Sequence, residues 1–145
     1  MAAMTETPTI YGFQGPNRFL SNFWPETPGV VTVEHLFQAA KTNDPVQKLA
    51  ILRAETPGQA KRMGRGVTLR ADWETVKDDI MAEFLRMKFE DPELRRQLLA
   101  TGDSLLYEAN DWNDRYWGVD SATGIGQNRL GHLLMSLRER IRNGN

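Results

Sequence analysis

Glu34, Gln38 and Lys41 stand four and then three residues apart in Val33 to Lys41, a stretch of good helix formers with no breaker before Asn43. On a helix this spacing puts the three on one face, with His35, Phe37 and Ala40 pointing elsewhere. Two helical turns separate the carboxylate and the amine by about 10 Å along the axis. They can grip opposite ends of a sugar, or meet if the lysine reaches back. The commoner use of such a pattern is a solvated Glu/Lys face. A second group, Phe19-Leu20-Ser21-Asn22-Phe23-Trp24-Pro25, sets two polar side chains among aromatic rings. It reads either as a ring-lined wall with groups for ligand hydroxyls or as a hydrophobic plug under a loop.

A third group, Asp111-Trp112-Asn113-Asp114-Arg115-Tyr116-Trp117-Gly118-Val119-Asp120, packs three rings and three acids into ten residues. Tryptophans stack on bases and sugar faces, and an aspartate polarises water or stabilises oxocarbenium charge; a loop pinned by its rings is the alternative. In Gly124-Ile125-Gly126-Gln127-Asn128-Arg129-Leu130-Gly131 a glycine-bearing loop opens a helix, where backbone N–H groups and Arg129 suit a phosphate. No long strand precedes it, so it is not a dinucleotide fingerprint. Arg62-Met63-Gly64-Arg65-Gly66 reads as a helix end with dipole-matched cations rather than as a phosphate-facing turn. His35 and His132 read as packed or surface residues, and no Ser-His-Asp, Walker or HExxH pattern is present.

The elements that must position these groups are mostly helices. Asp44-Pro45, Thr56-Pro57 and Asp91-Pro92 each set a capping side chain before proline and predict helix starts, with Gly64 and Gly102 as ends. Asp72 predicts a cap for a helix from Trp73 to about Phe89, with Trp73, Val76, Ile80, Phe84 and Met87 as its buried face. The last helix, Asn128 to Arg142, buries Leu130, Leu133, Leu134, Leu137 and Ile141. Thr9–Phe13, Val30–Val33 and Ser104–Ala109 predict short strands. The fold class that follows is α+β and predominantly helical, one domain over 1–145 with a small antiparallel sheet, residues 1–9 forming a flexible tail.

Length and composition fit that reading: 145 residues, 40% hydrophobic and 26% charged, suffice for one globular domain. The absence of cysteine excludes disulfides and thiolate metal sites and points to a reducing compartment. Two histidines leave little for a zinc site, and no metal or cofactor is expected. No signal peptide and no run of about 18 apolar residues occurs, so a cytoplasmic protein without membrane association is expected. The net charge of −1 excludes a broadly basic duplex binder and favours a small ligand or a local patch.

Assembled in order, these segments resemble the NADAR (YbiA-like) family. The resemblance rests on Phe19-Leu20-Ser21-Asn22-Phe23, Glu34 to Lys41, Leu69-Arg70-Ala71-Asp72-Trp73 through Met81, Leu98-Leu99-Ala100-Thr101-Gly102, Tyr116-Trp117-Gly118 and Gly126 to Met135. It implies an N-glycosidase that separates a phosphorylated ribose from an exocyclic amine, carried either by an early riboflavin-pathway intermediate or by ADP-ribosylated guanine in nucleic acid. It also implies Glu34, Trp73, Trp117 and an aspartate after Trp-Gly as site residues. Here Val119 follows Gly118, so Asp120, one position later, takes that place and Asp114 is its rival. The expected catalytic residues are therefore Glu34, Lys41 and Asp120. Arg18, Ser21, Asn22, Phe23, Gln38, Trp73, Asp114, Tyr116, Trp117, Gly126, Asn128 and Arg129 are expected to contact substrate. A non-catalytic module that senses ADP-ribose or NAD is the alternative class. Oligomeric state has no signature in the chain.

Overall fold

A capping side chain followed by proline opens three helices of the computed structural model, which describes residues 7–144. The Asp44 carboxylate accepts from the Val46 and Gln47 N–H groups at 2.8 and 3.2 Å and starts α2, Pro45–Leu52. Thr56 Oγ1 accepts from Gln59 N–H at 3.1 Å and starts α3, Pro57–Gly64. The Asp91 carboxylate accepts from the Glu93 and Leu94 N–H groups at 3.0 Å and starts α5, Pro92–Ala100. Each such cap is worth about 1 kcal/mol. The other helices are α1, Val33–Ala40, α4, Trp73–Lys88, and α6, Arg129–Arg142.

The described chain divides into two compact units. Ser21–Glu90 holds α1 to α4, with α1 packed against the other three. Buried Ala39, Ile51 and Ala60 form a core under Leu52, Ala54 and Val67, and small residues there let α1 and α3 approach closely. The second unit consists of the described residues of Met1–Leu20 and Asp91–Asn145. In it a 3-10 helix, Gly15–Leu20, packs on α5, while α6 packs on α5 and on β2, Leu105–Tyr107.

The helix-rich α+β class is found, but the strands run parallel, not antiparallel. β1, Thr9–Tyr11, pairs with β2 in the register Thr9↔Leu105 to Tyr11↔Tyr107. β3, Ala109–Asn110, pairs with β4, Val119–Asp120. The antiparallel expectation presumed hairpins; β1 and β2 are instead joined by a long crossover, which returns the chain in the same direction. Residues 1–6 of the expected tail lie outside the described residues, whereas Pro8 accepts from Leu105 N–H at 2.8 Å and Thr9 opens β1.

Two further expectations change. Val30–Val33 forms no strand, because Thr32 is the N-cap of α1 and Val33 its first residue. The buried face of α4 matches the expected one only in part: Trp73 is buried, whereas Val76, Ile80 and Phe84 are half-buried. It runs through Trp73, Met81 and Leu85 to Phe89, and Met87 is exposed. Lys77 and Lys88 lie on or beside this face, so its hydropathy pattern points to the wrong stripe. Asp72 precedes α4 without a side-chain cap, since its carboxylate binds the Arg70 guanidinium at 2.6 Å. No helix among the described residues is long and apolar enough to cross a membrane.

Candidate active site

The rotation of α1 is set by a capping box. Thr32 Oγ1 accepts from His35 N–H at 3.3 Å, and His35 Nδ1 accepts from Thr32 N–H at 3.1 Å. The opposite ring nitrogen, Nε2, lies 2.9 Å from the Ala54 carbonyl. A carbonyl accepts only, so Nε2 is the donor in this contact. His35 is fully buried and structural, as the sequence reading held.

This rotation turns Glu34 and Gln38 inward. Glu34 is 7% exposed and Gln38 5%. Gln38 Nε2 donates to Glu34 Oε1 at 2.7 Å, one turn along the same face. A buried carboxylate is costly unless hydrogen-bonded, and this amide fixes its orientation. The Glu34 N–H donates to the Asn22 carbonyl at 3.1 Å, tying α1 to the Ser21–Phe23 wall. That wall is held in turn by Lys88, which donates to the Ser21 carbonyl at 2.8 Å, and by Ser21 Oγ, which accepts from Phe23 N–H at 3.1 Å. Burial pushes the Lys88 amine down to about 7.

Among the described residues, two buried side-chain oxygens have no hydrogen-bond partner, Asn22 Oδ1 and Gln38 Oε1. Leaving a buried acceptor unpaired costs about 1–3 kcal/mol. Both acceptors suit the hydroxyl donors of a sugar. The Asn22 amide nitrogen makes a weak contact, 3.4 Å to Met81 Sδ.

Lys41 follows the last turn of α1 and is half-buried. Its carbonyl accepts from Arg70 N–H at 2.7 Å, which ties this end of α1 to the entry of α4. Burial holds its amine below the usual lysine value; Glu34 pulls the other way, and Arg65, Lys61 and Lys77 lower it further. Glu34, Gln38 and Lys41 therefore share one region, with Asn22 linked to it through the Glu34 backbone. The ring of Trp73, 5% exposed, packs tilted on Phe37 with centroids 5.0 Å apart. It supports α1 from below rather than standing open as a stacking platform.

The loop of the other unit uses its polar groups differently. Asp114 Oδ1 accepts from the Tyr116 and Trp117 N–H groups at 3.2 and 3.0 Å. Asp120 Oδ1 accepts from Ala122 N–H, Thr123 N–H and Thr123 Oγ1, and the Thr123 N–H leads in holding its carboxyl below the usual range. Asn128, left-handed at φ 50°, is buried and splices β2 to β3: Nδ2 donates to the Leu106 carbonyl at 2.8 Å and Oδ1 accepts from Glu108 N–H at 3.0 Å. The N–H groups of residues 127–130 at the start of α6 donate to the carbonyls of Arg115, Gly118, Tyr116 and Trp117. The glycine-bearing loop thus does not present these amides to a phosphate, as its sequence suggested. Gly126, with φ 153°, is required because a Cβ there would come within 2.3 Å of the Gly118 carbonyl. The Arg129 guanidinium lies 5.0 Å from the centre of the Tyr116 ring, which meets Trp117 edge-on at 4.9 Å. Arg18 sits half-buried in the last turn of the 3-10 helix.

Lys61, Arg65 and Lys77, whose charges act on the Lys41 amine, are not among the expected site residues; the basic turn at Arg62–Gly66 is a sequence signal for Arg65 alone.

Comparison with known proteins agrees with the resemblance. Residues 11–142 match the family model described as the NADAR domain. The chain is 49% identical over 113 residues to N-glycosidase YbiA of Escherichia coli (strain K12), covering 76% of this chain and 69% of that protein. It is 41% identical over 148 residues to N-glycosidase Npun_R5314 of Nostoc punctiforme, covering 93% of this chain and 94% of that protein. The NMR structure of E. coli YbiA superimposes with a TM-score of 0.80 at 42% identity, over 98% of this chain and 89% of that one.

Proposed function

The chain belongs to the NADAR family, and we propose that it hydrolyses the N-glycosyl bond between C1 of a phosphorylated ribose and an exocyclic amine, with Glu34 and Lys41 as the reacting side chains. It is a hydrolase of N-glycosyl bonds, the class for which its relatives are named. The observation that carries the assignment to α1 is the buried Glu34 carboxylate, oriented by Gln38 and acting on a half-buried lysine whose pKa is lowered.

Glu34 carries the proton transfers. Protonation of the ribose ring oxygen opens the sugar to an imine between C1 and the substrate nitrogen. The Lys41 Nζ lone pair adds to C1, the substrate nitrogen takes a proton, and it leaves as the amine. Water then adds to the remaining lysine imine and the C1–Nζ bond breaks, returning lysine and the sugar aldehyde. One water is consumed and nothing is oxidised or reduced. A lowered lysine pKa serves this route, because only the unprotonated amine adds to C1.

Early riboflavin-pathway intermediates that carry ribose 5-phosphate and guanine ADP-ribosylated on its exocyclic amine share the bond in question. Assaying both side by side for released amine tests the reading. Cleavage of either is expected. Binding of ADP-ribose without turnover of either substrate, unaltered in Glu34→Ala, would instead mark a sensor. Borohydride added during turnover should trap a sugar adduct on Lys41; turnover with a clean mass spectrum would leave Glu34-assisted attack by water as the route.

A further inference from the structure

Of the two buried side-chain oxygens that lack a donor among the described residues, each has a different neighbourhood. Gln38 Oε1 packs against α3: a Cβ on Gly64 would come within 1.9 Å of it, so only a glycine lets α3 seat this closely on α1. Asn22 Oδ1 belongs to a residue held from two helices. The Asn22 backbone carbonyl accepts the Glu34 N–H of α1 at 3.1 Å. Its side-chain nitrogen donates to Met81 Sδ of α4 at 3.4 Å, and Met81 is fully buried. Seven residues further along α4, and so on the same face, Lys88 donates to the Ser21 carbonyl at 2.8 Å. That carbonyl also accepts the Trp24 N–H at 3.1 Å.

A side-chain amide has two orientations half a turn apart, and its neighbours choose between them. A thioether sulfur has lone pairs and no proton to give, so it holds the amide nitrogen and rejects the oxygen. The contact is weak, but its sense is fixed: turned over, the amide would set oxygen against sulfur. Asn22, 8% exposed, is thereby left with its oxygen unmet inside the protein. We propose that Met81 is a positioning residue, whose sulfur engages the Asn22 nitrogen so that the oxygen is offered to the ligand, while Lys88 fixes the peptide beside it. At this point the site favours a ligand group that donates a hydrogen bond, such as a hydroxyl, over one that only accepts. Met81 acts through Asn22 rather than by contact with the ligand. The ligand's identity rests on the N-glycosidase reading; the orientation of the amide does not.

Met81→Leu keeps the volume and removes the acceptor. Wild type, Met81→Leu, Asn22→Ala and the double variant are compared by two measurements. NMR spectra of the Asn22 side-chain amide should place its protons against the Met81 methyl in wild type, and show a displaced, faster-exchanging amide in Met81→Leu. Calorimetric titration with ribose 5-phosphate and ADP-ribose should find affinity about three- to tenfold weaker in Met81→Leu, with little change in melting temperature. The double variant should bind no more weakly than Asn22→Ala, because Met81 then has no amide to orient. Losses that add, wild-type affinity in Asn22→Ala, or a Met81→Leu protein with wild-type amide spectrum and affinity overturn the proposal. Wild type that binds neither ligand counts against the functional reading, and the amide spectra then decide the orientation by themselves.

Discussion

Between Asn110 and Asn128, acids and amides serve their own backbone: Asp114 caps the turn into Tyr116-Trp117, Asp120 closes the turn to Thr123, and Asn128 joins β2 to β3. Along α1 the same kinds of group are used otherwise. Glu34 is buried against Gln38, and the Gln38 oxygen, like that of Asn22, is left with an unmet acceptor. The loop is richer in suggestive residues, and the helix carries the buried polar groups with unmet capacity. Residue type therefore marks a candidate, while the hydrogen-bond partner decides between scaffold and site.

The comparison is broken most directly at its two buried ends. Glu34→Gln should lower amine release by about a thousandfold with the fold intact, whereas Asp114→Asn or Asp120→Asn should act mainly on loop stability. A loss in either aspartate variant as large as that in Glu34→Gln, with unchanged melting, would move the chemistry into the loop. Asn128→Ala should do the reverse of Glu34→Gln. It strands the Leu106 carbonyl and the Glu108 N–H and puts alanine at a left-handed φ, costing about 3 kcal/mol in urea unfolding, with turnover retained by the molecules that remain folded.

Gly64→Ala is smaller and more informative. The added methyl displaces the Gln38 amide and loosens its bond to Glu34, so kcat/KM should fall about tenfold with little change in melting. The smallest effect concerns Lys88. Its amine, near 7 in the fold against an ordinary lysine value of 10.5, is penalised when charged. Its folded pKa is lowered, so stability should rise as pH climbs from about 7 towards 10.5, and Lys88→Met should flatten that rise in denaturant titrations.

Local features of this molecule are legible in the chain, and long-range ones are not. The proline-headed helices follow from side chains that bond residues two or three positions away. The shared face of Glu34, Gln38 and Lys41 follows from helical period, and the family from motif order. Thr32 defeats the strand reading because its hydroxyl pairs with the His35 ring, a choice that β-branched composition hides. Lys77 and Lys88 obscure the buried face of α4 because their charged side chains break its apolar pattern. Strand direction depends on a crossover of many residues. The unmet acceptors at Asn22 and Gln38 and the convergence of Lys61, Arg65 and Lys77 depend on how α3 and α4 seat on α1.

The claim at the centre is that a buried carboxylate on α1 cleaves a ribosyl C1–N bond. Its most direct test is a single-turnover reaction of wild type and Glu34→Gln with guanosine ADP-ribosylated on its exocyclic amine and with a phosphoribosyl-aminopyrimidine, following the released amine by chromatography and mass. Wild type should release one amine per sugar from at least one substrate, while Glu34→Gln binds that substrate and releases almost none. Equal release by both proteins would contradict the account.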